Sequence, residues 1–103
     1  FDFIYGDKEN LKTLEKALID INYVVMLSGL VGDPITKKYP ILSKRINIDA
    51  TKKCLRFINK SKIERLIFIS TCSNYGVTKK QIPVDEKNAL NPISAYAKAK
   101  VEI

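Results

Sequence analysis

The chain has 103 residues, 46% of them hydrophobic and 28% charged, which allows one domain at most and is typical of a folded globular segment. It has no histidine, and Cys54 and Cys72 lack the spacing of a zinc motif, so His-dependent triads are excluded and no metal site is predicted. The net charge of +7 comes mostly from lysines spread along the chain, which indicates a solvated surface more than a nucleic-acid partner.

The first half of the chain alternates strand-like and helix-like patterns. Residues 1–5 form a short β-prone run that stops at Gly6, and residues 9–19 carry leucines at helical spacing. Residues 23–27 are a continuous apolar run, which predicts a parallel strand covered on both faces. Glycines and prolines then recur as far as Pro40, so a loop is predicted after this strand.

The second half continues the alternation. Apolar positions predict one long amphipathic helix over residues 41–59 and a second buried strand over residues 66–69. Residues 71–92 are predicted to be irregular. A last helix is expected to begin near Pro92 or Ile93, with Ser94 or Asn91 as its cap.

Strands that alternate with helices predict an α/β fold, here a Rossmann-like parallel sheet with flanking helices whose ligands bind at the carboxyl ends of the strands. The sequence lacks the glycine-rich turn that seats the pyrophosphate of a dinucleotide. We therefore interpret residues 1–103 as a fragment of a nucleotide-binding domain, without this N-terminal turn and without a C-terminal substrate-binding part. The piece alone is expected to be inactive.

Tyr96 and Lys100 are a candidate acid/base pair. They stand four residues apart among strong helix formers, so both side chains are expected on one helical face. A phenol has an ordinary pKa of about 10, and a neighbouring ammonium helps it to lose a proton near neutral pH. The spacing alone is weak evidence, because Tyr75 and Lys79 repeat it around Gly76, where a helix is disfavoured. A surface helix pair is the alternative interpretation.

Hydroxyl side chains cluster in residues 70–73, directly after the second predicted strand. The carboxyl end of a parallel strand faces the ligand site of an α/β sheet, and hydroxyls there can hold a substrate alcohol or carbonyl. An ordinary polar turn is the alternative interpretation.

Longer motifs give a more specific resemblance. Residues 70–76 match S-[ST]-x-x-x-Y-G and residues 91–100 contain P-x-S-x-Y-x-x-x-K, the signatures of the extended short-chain dehydrogenase/reductases. This family of NAD-dependent epimerases and dehydratases includes UDP-galactose 4-epimerase. Three further segments resemble family motifs more weakly. Residues 24–29, V-V-M-L-S-G, resemble V-V-H-L-A-[AG], residues 47–51 resemble N-V-x-G-T, and Gly6-Asp7 resembles G-D-[IL]. The motifs occur in the family's order along essentially the whole chain, so together they are specific.

The resemblance implies a catalytic Thr71, Tyr96 and Lys100. Tyr96 is expected to act as the acid/base, Lys100 to promote its ionisation and hold the nicotinamide ribose, and Thr71 to hold the reacting oxygen. Nucleotide-sugar dehydratases carry an Asp-Glu pair after the catalytic Thr, where this chain has Cys72 and Ser73. Dehydration is therefore disfavoured.

The resemblance also implies NAD as the cofactor, with NADP as an alternative. Asp7 and the backbone of Lys8 are expected at the adenine, and Asn47 near the nicotinamide-side ribose. Met26 and Lys8 depart from the family, which usually has His and an apolar residue at these positions. The full set of expected cofactor-binding residues is Asp7, Lys8, Leu27, Ser28, Gly29, Asn47, Tyr96 and Lys100.

The resulting hypothesis is an enzyme that transiently oxidises a hydroxyl of a nucleotide-sugar substrate, with an epimerase preferred over a reductase or a dehydratase. A non-catalytic NAD(P)-binding regulator is a second hypothesis, and a basic nucleic-acid binder is a third. Free cysteines and the lack of a signal or membrane-spanning pattern predict a cytoplasmic protein without a membrane partner. The resemblance further implies a homodimer of the full-length protein, paired through helices such as those at residues 41–59 and from residue 93 onward.

Overall fold

The computed structural model describes residues 2–77 and 82–103, which divide into two compact units. The first unit holds the described residues up to Ser28 together with Asp49–Ile69, and the second holds Gly29–Ile48 and the described residues from Ser70 onward. The elements in chain order are α1 (Leu11–Ala17), β1 (Tyr23–Met26), α2 (Asp33–Lys38), α3 (Pro40–Lys44), a π-helical turn (Arg45–Asp49), α4 (Ala50–Ile58), β2 (Arg65–Phe68), a 3-10 helix (Cys72–Tyr75) and α5 (Ala95–Glu102).

A parallel pair of strands forms the sheet of the first unit. β1 pairs with β2 in a register that puts Met26 opposite Phe68. Helices α1 and α4 contribute side chains to the core, whose buried members are Met26, Cys54 and Ile58. The predicted strands at residues 23–27 and 66–69 are therefore confirmed, and the second begins and ends one residue earlier. The predicted α/β class, a parallel sheet with flanking helices, is confirmed.

The sheet is covered on one face only within the described residues. Val24 and Met26 face the core, whereas Tyr23 and Val25 of the same strand are 66% and 55% exposed. Ile67 of β2, in register with Val25, is 49% exposed. The prediction of a strand covered on both faces is wrong for this part of the chain, because the core residues of α1 and α4 contact a single face of the pair.

The β-prone segment at residues 1–5 does not form a strand over the residues that are described. Residues 2–5 have no regular secondary structure, and Phe1 lies outside the described residues. Phe3 and Tyr5 are 77% and 94% exposed. A strand is stabilised by a hydrogen-bonded neighbour and by burial of one face, and this segment gains neither. The prediction of a strand is therefore wrong for residues 2–5.

The helix predicted over residues 9–19 is confirmed in its centre as α1. It begins after Asn10, whose side-chain oxygen accepts hydrogen bonds from the backbone N–H groups of Lys12 at 3.0 Å and Thr13 at 3.4 Å. An Asn in extended conformation satisfies the first free N–H groups of a helix in this way. The cap explains why the helix begins at Leu11 and not at Glu9.

Prolines begin helices in the second unit at positions where the sequence predicts a loop. Pro34 lies in the first turn of α2 and Pro40 is the first residue of α3. Proline is favoured there because its missing N–H has no helical partner to bond and its φ angle is already helical. The predicted loop is thus wrong over Asp33–Lys38. The helix predicted over residues 41–59 is confirmed as α3, the π-helical turn and α4, which follow one another directly.

The last helix, α5, begins later than predicted. Ser94 is its cap, and the Ser94 hydroxyl accepts a hydrogen bond from the Ala97 N–H at 3.1 Å. Ala97 and Ala99 are buried, and α5 contacts α2, α3 and the 3-10 helix of the same unit. Among the described residues, no helix combines the length and the apolar character needed to cross a membrane.

Candidate active site

The turn that begins at Thr71 is fixed by the Thr71 hydroxyl. Thr71 has extended backbone angles and caps the 3-10 helix, because its Oγ1 accepts a hydrogen bond from the Ser73 N–H at 3.3 Å. The residue is partly exposed. A hydroxyl oxygen that accepts in this way still has its own hydrogen, so Thr71 can also donate.

The turn closes at Gly76, which lies against the segment before α5. Gly76 has φ +66° and ψ −147°, a conformation that is nearly restricted to glycine. A Cβ atom at this position would overlap the backbone carbonyl oxygen of Asn91. The Asn91 N–H in turn donates to the Asn74 carbonyl oxygen at 2.8 Å, so the turn and the segment that leads into α5 are joined at this point.

Replacing Gly76 with alanine is expected to destabilise the protein by about 2 kcal/mol or more, because a side chain is strained at this backbone conformation and collides with Asn91. The free energy of unfolding, measured by denaturant titration, checks the value. Gly32 also has a positive φ, +101°, but no atom lies near its Cβ position. Gly32→Ala is therefore the control, with strain but no collision and a smaller expected loss. Equal losses in the two variants would contradict the role of the Asn91 contact.

Tyr96 and Lys100 lie on one face of α5, as their spacing predicts. The Lys100 Nζ is 5.6 Å from the centre of the Tyr96 ring, and both residues are partly buried. Burial lowers the pKa of the Lys100 ammonium below the ordinary value for lysine. α5 packs against the 3-10 helix that Thr71 caps, so all three predicted catalytic residues belong to elements of the second unit that are in contact.

Asn47 and Gly29 are also brought together in the second unit. The Asn47 side-chain oxygen accepts from the Leu30 N–H at 2.8 Å, and its amide nitrogen donates to the Leu30 carbonyl at 2.9 Å and to the Ser43 hydroxyl at 3.4 Å. A Cβ atom on Gly29 would lie 3.2 Å from the same Asn47 oxygen, so glycine permits a close approach. Both amide hydrogens of Asn47 are thus engaged in holding this loop.

The other expected cofactor-binding residues belong to the first unit. The Lys8 ammonium donates to the Thr51 hydroxyl at 3.0 Å and to the Ser28 carbonyl at 3.5 Å. Lys8, Leu27 and Ser28 line a mostly apolar cavity of about 300 Å³. The Asp7 carboxylate accepts from the Glu9 N–H at 2.9 Å. The side chain of Lys8 thus contacts both Thr51 and Ser28 at the edge of this cavity.

Neither cysteine has the surroundings of an activated nucleophile. Burial raises the pKa of the Cys54 thiol, and the Lys8 ammonium acts in the opposite direction with a smaller effect. Cys54 is part of the core, and Cys72 is exposed on the 3-10 helix. Tyr75, the first member of the second Tyr/Lys pair, ends that helix, whereas Lys79 lies outside the described residues.

Two residues with a part in the site geometry were missed in the sequence. Asn74 is buried in the turn and bonds Ser70, and Thr51 is buried and holds the Lys8 ammonium. Thr51 ends the segment that resembles N-V-x-G-T, so the motif contained a signal for it. Asn74 occupies an unspecified position of its motif, and its burial depends on contacts that no local pattern indicates.

The class of protein that these features define is a Rossmann-like α/β protein. Its family is shown by the sequence as a whole, since residues 2–103 match the NAD dependent epimerase/dehydratase family. The chain belongs to that family, and the resemblance predicted from its motifs is confirmed.

Individual relatives are epimerases. Over 101 residues the chain is 30% identical to a UDP-glucose 4-epimerase of Lactobacillus helveticus, covering 96% of this chain and 30% of that protein. It is similar to the solved UDP-N-acetylglucosamine 4-epimerase of Methanobrevibacter ruminantium M1 in complex with UDP-N-acetylmuramic acid, with 32% identity, a TM-score of 0.78, and coverage of 86% of this chain and 28% of that chain. It is also similar to the solved UDP-glucuronic acid 4-epimerase of Bacillus cereus in complex with NAD, with 31% identity and a TM-score of 0.81. The match covers 98% of this chain and 31% of that chain.

The chain spans about 30% of the length of the curated UDP-glucose 4-epimerase that it matches. The two solved epimerases are matched over similar shares of their own length, 28% and 31%.

Proposed function

We propose that the chain is the central part of an NAD-dependent epimerase that inverts C4 of a UDP-sugar. The observation that carries the proposal is the packing of α5, which bears Tyr96 and Lys100, against the 3-10 helix capped by Thr71. The substrate class is supported by the relatives, since all three are named 4-epimerases of UDP-sugars. The glycine-rich turn and a substrate-binding part belong, in this proposal, to the remainder of the full-length enzyme.

The three catalytic side chains divide the work of moving one proton. Tyr96 accepts the proton of the C4 hydroxyl through its phenolic oxygen and returns it after inversion. The Lys100 Nζ lies 5.6 Å from the centre of the Tyr96 ring, and in this proposal Lys100 also holds the nicotinamide ribose beside Tyr96. Thr71 donates its hydroxyl hydrogen to the sugar oxygen, while one of the two lone pairs of its oxygen accepts from the Ser73 N–H.

NAD, when bound, supplies the acceptor and donor of the hydride at C4. The residues of this chain fit such a group in its chemistry. Lys8, Leu27 and Ser28 line an apolar cavity with a cation at its edge, which suits a flat base with acceptor nitrogens. Asp7 directly precedes Lys8, and Gly29 directly follows Ser28, so both adjoin the residues that line this cavity. Asn47 supports the loop by fixing Leu30, next to Gly29. NADP is the alternative cofactor.

The route of the hydrogen at C4 tests this proposal. The full-length enzyme is incubated in ordinary water with UDP-glucose that carries deuterium at C4, and the product is examined by NMR. Retention of the deuterium at C4 of the inverted sugar is the result expected of the proposed reaction. Loss of the label to water would contradict transient oxidation, because a carbon acid exchanges its hydrogen with solvent.

The same assay separates the alternatives. A nucleotide-sugar reductase consumes one equivalent of reduced cofactor for each product molecule, whereas an epimerase leaves the cofactor unchanged after each turnover. A regulator binds NAD(P) tightly and turns over none of the UDP-sugars. A dehydratase releases water and leaves a deoxy sugar, which NMR also distinguishes.

The pH dependence of the reaction is expected to report the Lys100 charge. Because burial lowers the pKa of Lys100, its ammonium loses its proton at a lower pH than an ordinary lysine, and kcat/KM is expected to decline from that pH upward. Lys100→Arg keeps its positive charge throughout this range. The kcat/KM of this variant, normalised to its own maximum, is therefore expected to decline only at higher pH. An unchanged alkaline limb in Lys100→Arg would show that another group titrates.

Compartment and assembly belong to the same proposal. Cys54 and Cys72 are free thiols, which supports a reducing compartment such as the cytoplasm. We propose a homodimer for the full-length enzyme, paired through helices such as those at residues 41–59 and from residue 93 onward, and no nucleic-acid or membrane partner. Sedimentation of the full-length enzyme measures the oligomeric state.

A further inference from the structure

Asn74 is a buried polar residue at the centre of the turn that follows Thr71, with an exposed fraction of 8%. Its side-chain amide nitrogen donates to the Ser70 hydroxyl at 2.8 Å. Its backbone N–H donates to the Thr71 carbonyl at 3.2 Å, and its backbone carbonyl accepts from the Asn91 N–H at 2.8 Å. One residue thus connects the two hydroxyl residues at the start of the turn with the segment that leads into α5.

Stability does not explain why this residue is an asparagine. Its side-chain oxygen is buried and has no hydrogen-bond partner among the described residues, which destabilises the folded state. The one bond that its side chain makes is to Ser70, which is exposed and can bond water instead. A leucine has the same branching and fills a similar space without an unpaired acceptor, so it is expected to preserve or raise stability.

We propose that Asn74 is a positioning residue for the reaction, which sets Thr71 relative to α5 through Ser70 and Asn91 and itself touches neither substrate nor cofactor. The inference rests on the proposed function. Fixing the side chain on Ser70 also fixes the backbone carbonyl that binds Asn91, and the chain continues from Asn91 to Tyr96 through the Ser94 cap. Displacing a catalytic group by about 1 Å can lower a rate by as much as about 100-fold, so a loose turn lowers kcat.

The test uses Asn74→Leu in the full-length enzyme. We expect kcat for UDP-sugar epimerisation to fall by about 10-fold, with an unchanged dissociation constant for NAD and a melting temperature equal to or above that of the unmodified enzyme. Ser70→Ala removes the partner and is expected to give a similar loss. The double variant is expected to lose no more than either single variant, because both changes break one interaction. Ser73→Ala, an exposed change in the same 3-10 helix, is the matched control with unchanged kcat.

Hydrogen exchange gives a measurement that needs no turnover. The Asn91 amide is protected by its bond to the Asn74 carbonyl, and in Asn74→Leu its exchange is expected to be about 10-fold faster while the strands β1 and β2 keep their protection. In Ser73→Ala the exchange at Asn91 is expected to be unchanged.

Several outcomes overturn the proposal. A kcat within twofold of the unmodified enzyme together with unchanged exchange at Asn91 shows that Asn74 positions nothing. A melting temperature that falls in step with activity shows a merely structural residue. Fully multiplicative losses in the double variant show that Asn74 does not act through Ser70.

Tyr96→Phe, assayed alongside, separates a failure of the proposed function from a failure of the inference about Asn74. If it is inactive while Asn74→Leu is normal, the proposed function stands and this inference fails. If no UDP-sugar is turned over at all, the proposed function fails and the exchange rate at Asn91 decides on Asn74.

Discussion

Replacing Tyr96 with phenylalanine in the full-length enzyme is expected to lower kcat by about 1,000-fold, because it removes the group that takes the proton from the sugar, and general acid–base catalysis contributes roughly 100- to 10,000-fold. The aromatic ring remains, so its contact with the Lys100 ammonium, at 5.6 Å from the ring centre, persists and the melting temperature is expected to be unchanged. Steady-state kinetics on a UDP-sugar and thermal unfolding measure the two quantities.

The chain contains a matched control for this substitution. Tyr39 is 45% exposed between α2 and α3, and the Lys38 Nζ lies 5.3 Å from the centre of its ring, so it forms a similar pair outside the candidate site. Tyr39→Phe removes the same hydroxyl group and is expected to retain full activity. A Tyr96→Phe enzyme with more than a tenth of normal kcat would rule out the phenol as the acid/base.

The features that the sequence could predict are those that depend on local spacing. The apolar run predicts β1, and the apolar stripe predicts the helical segment from Pro40 to Ile58, in each case to within about one residue. The shared face of Tyr96 and Lys100 is likewise a consequence of a helical turn, and the ring-to-ammonium distance of 5.6 Å confirms it.

The features that the sequence could not predict depend on distant partners or on ambiguous signals. Pro34 and Pro40 predict a loop by their residue type, but proline also begins helices, as it does in α2 and α3. Lys8 reaches Thr51 across 43 residues, and no period in the sequence links the two. The exposed face of β1 could not be predicted either, because a continuous apolar run does not show which of its faces a helix will cover.

Replacing Thr71 with valine is expected to lower kcat by about 100-fold, which is typical for the loss of one oriented donor to a developing negative charge. Valine has nearly the shape of threonine but cannot accept from the Ser73 N–H, which the Thr71 hydroxyl does at 3.3 Å. Loss of this cap is expected to reduce the free energy of unfolding by about 1 kcal/mol. Kinetics and denaturant titration of the full-length variant measure the two losses separately.

Thr71→Ser distinguishes the cap from the donor role. Serine keeps both the acceptor for Ser73 and the hydroxyl hydrogen, so stability and kcat are expected to remain within a few-fold of the unmodified enzyme. If Thr71 only caps the 3-10 helix, Thr71→Val loses stability, and kcat at saturating substrate falls by no more than the loss of about 10-fold expected from a looser turn. If Thr71 holds the sugar oxygen, kcat falls by the full loss of about 100-fold, and this loss persists at temperatures where both variants are fully folded.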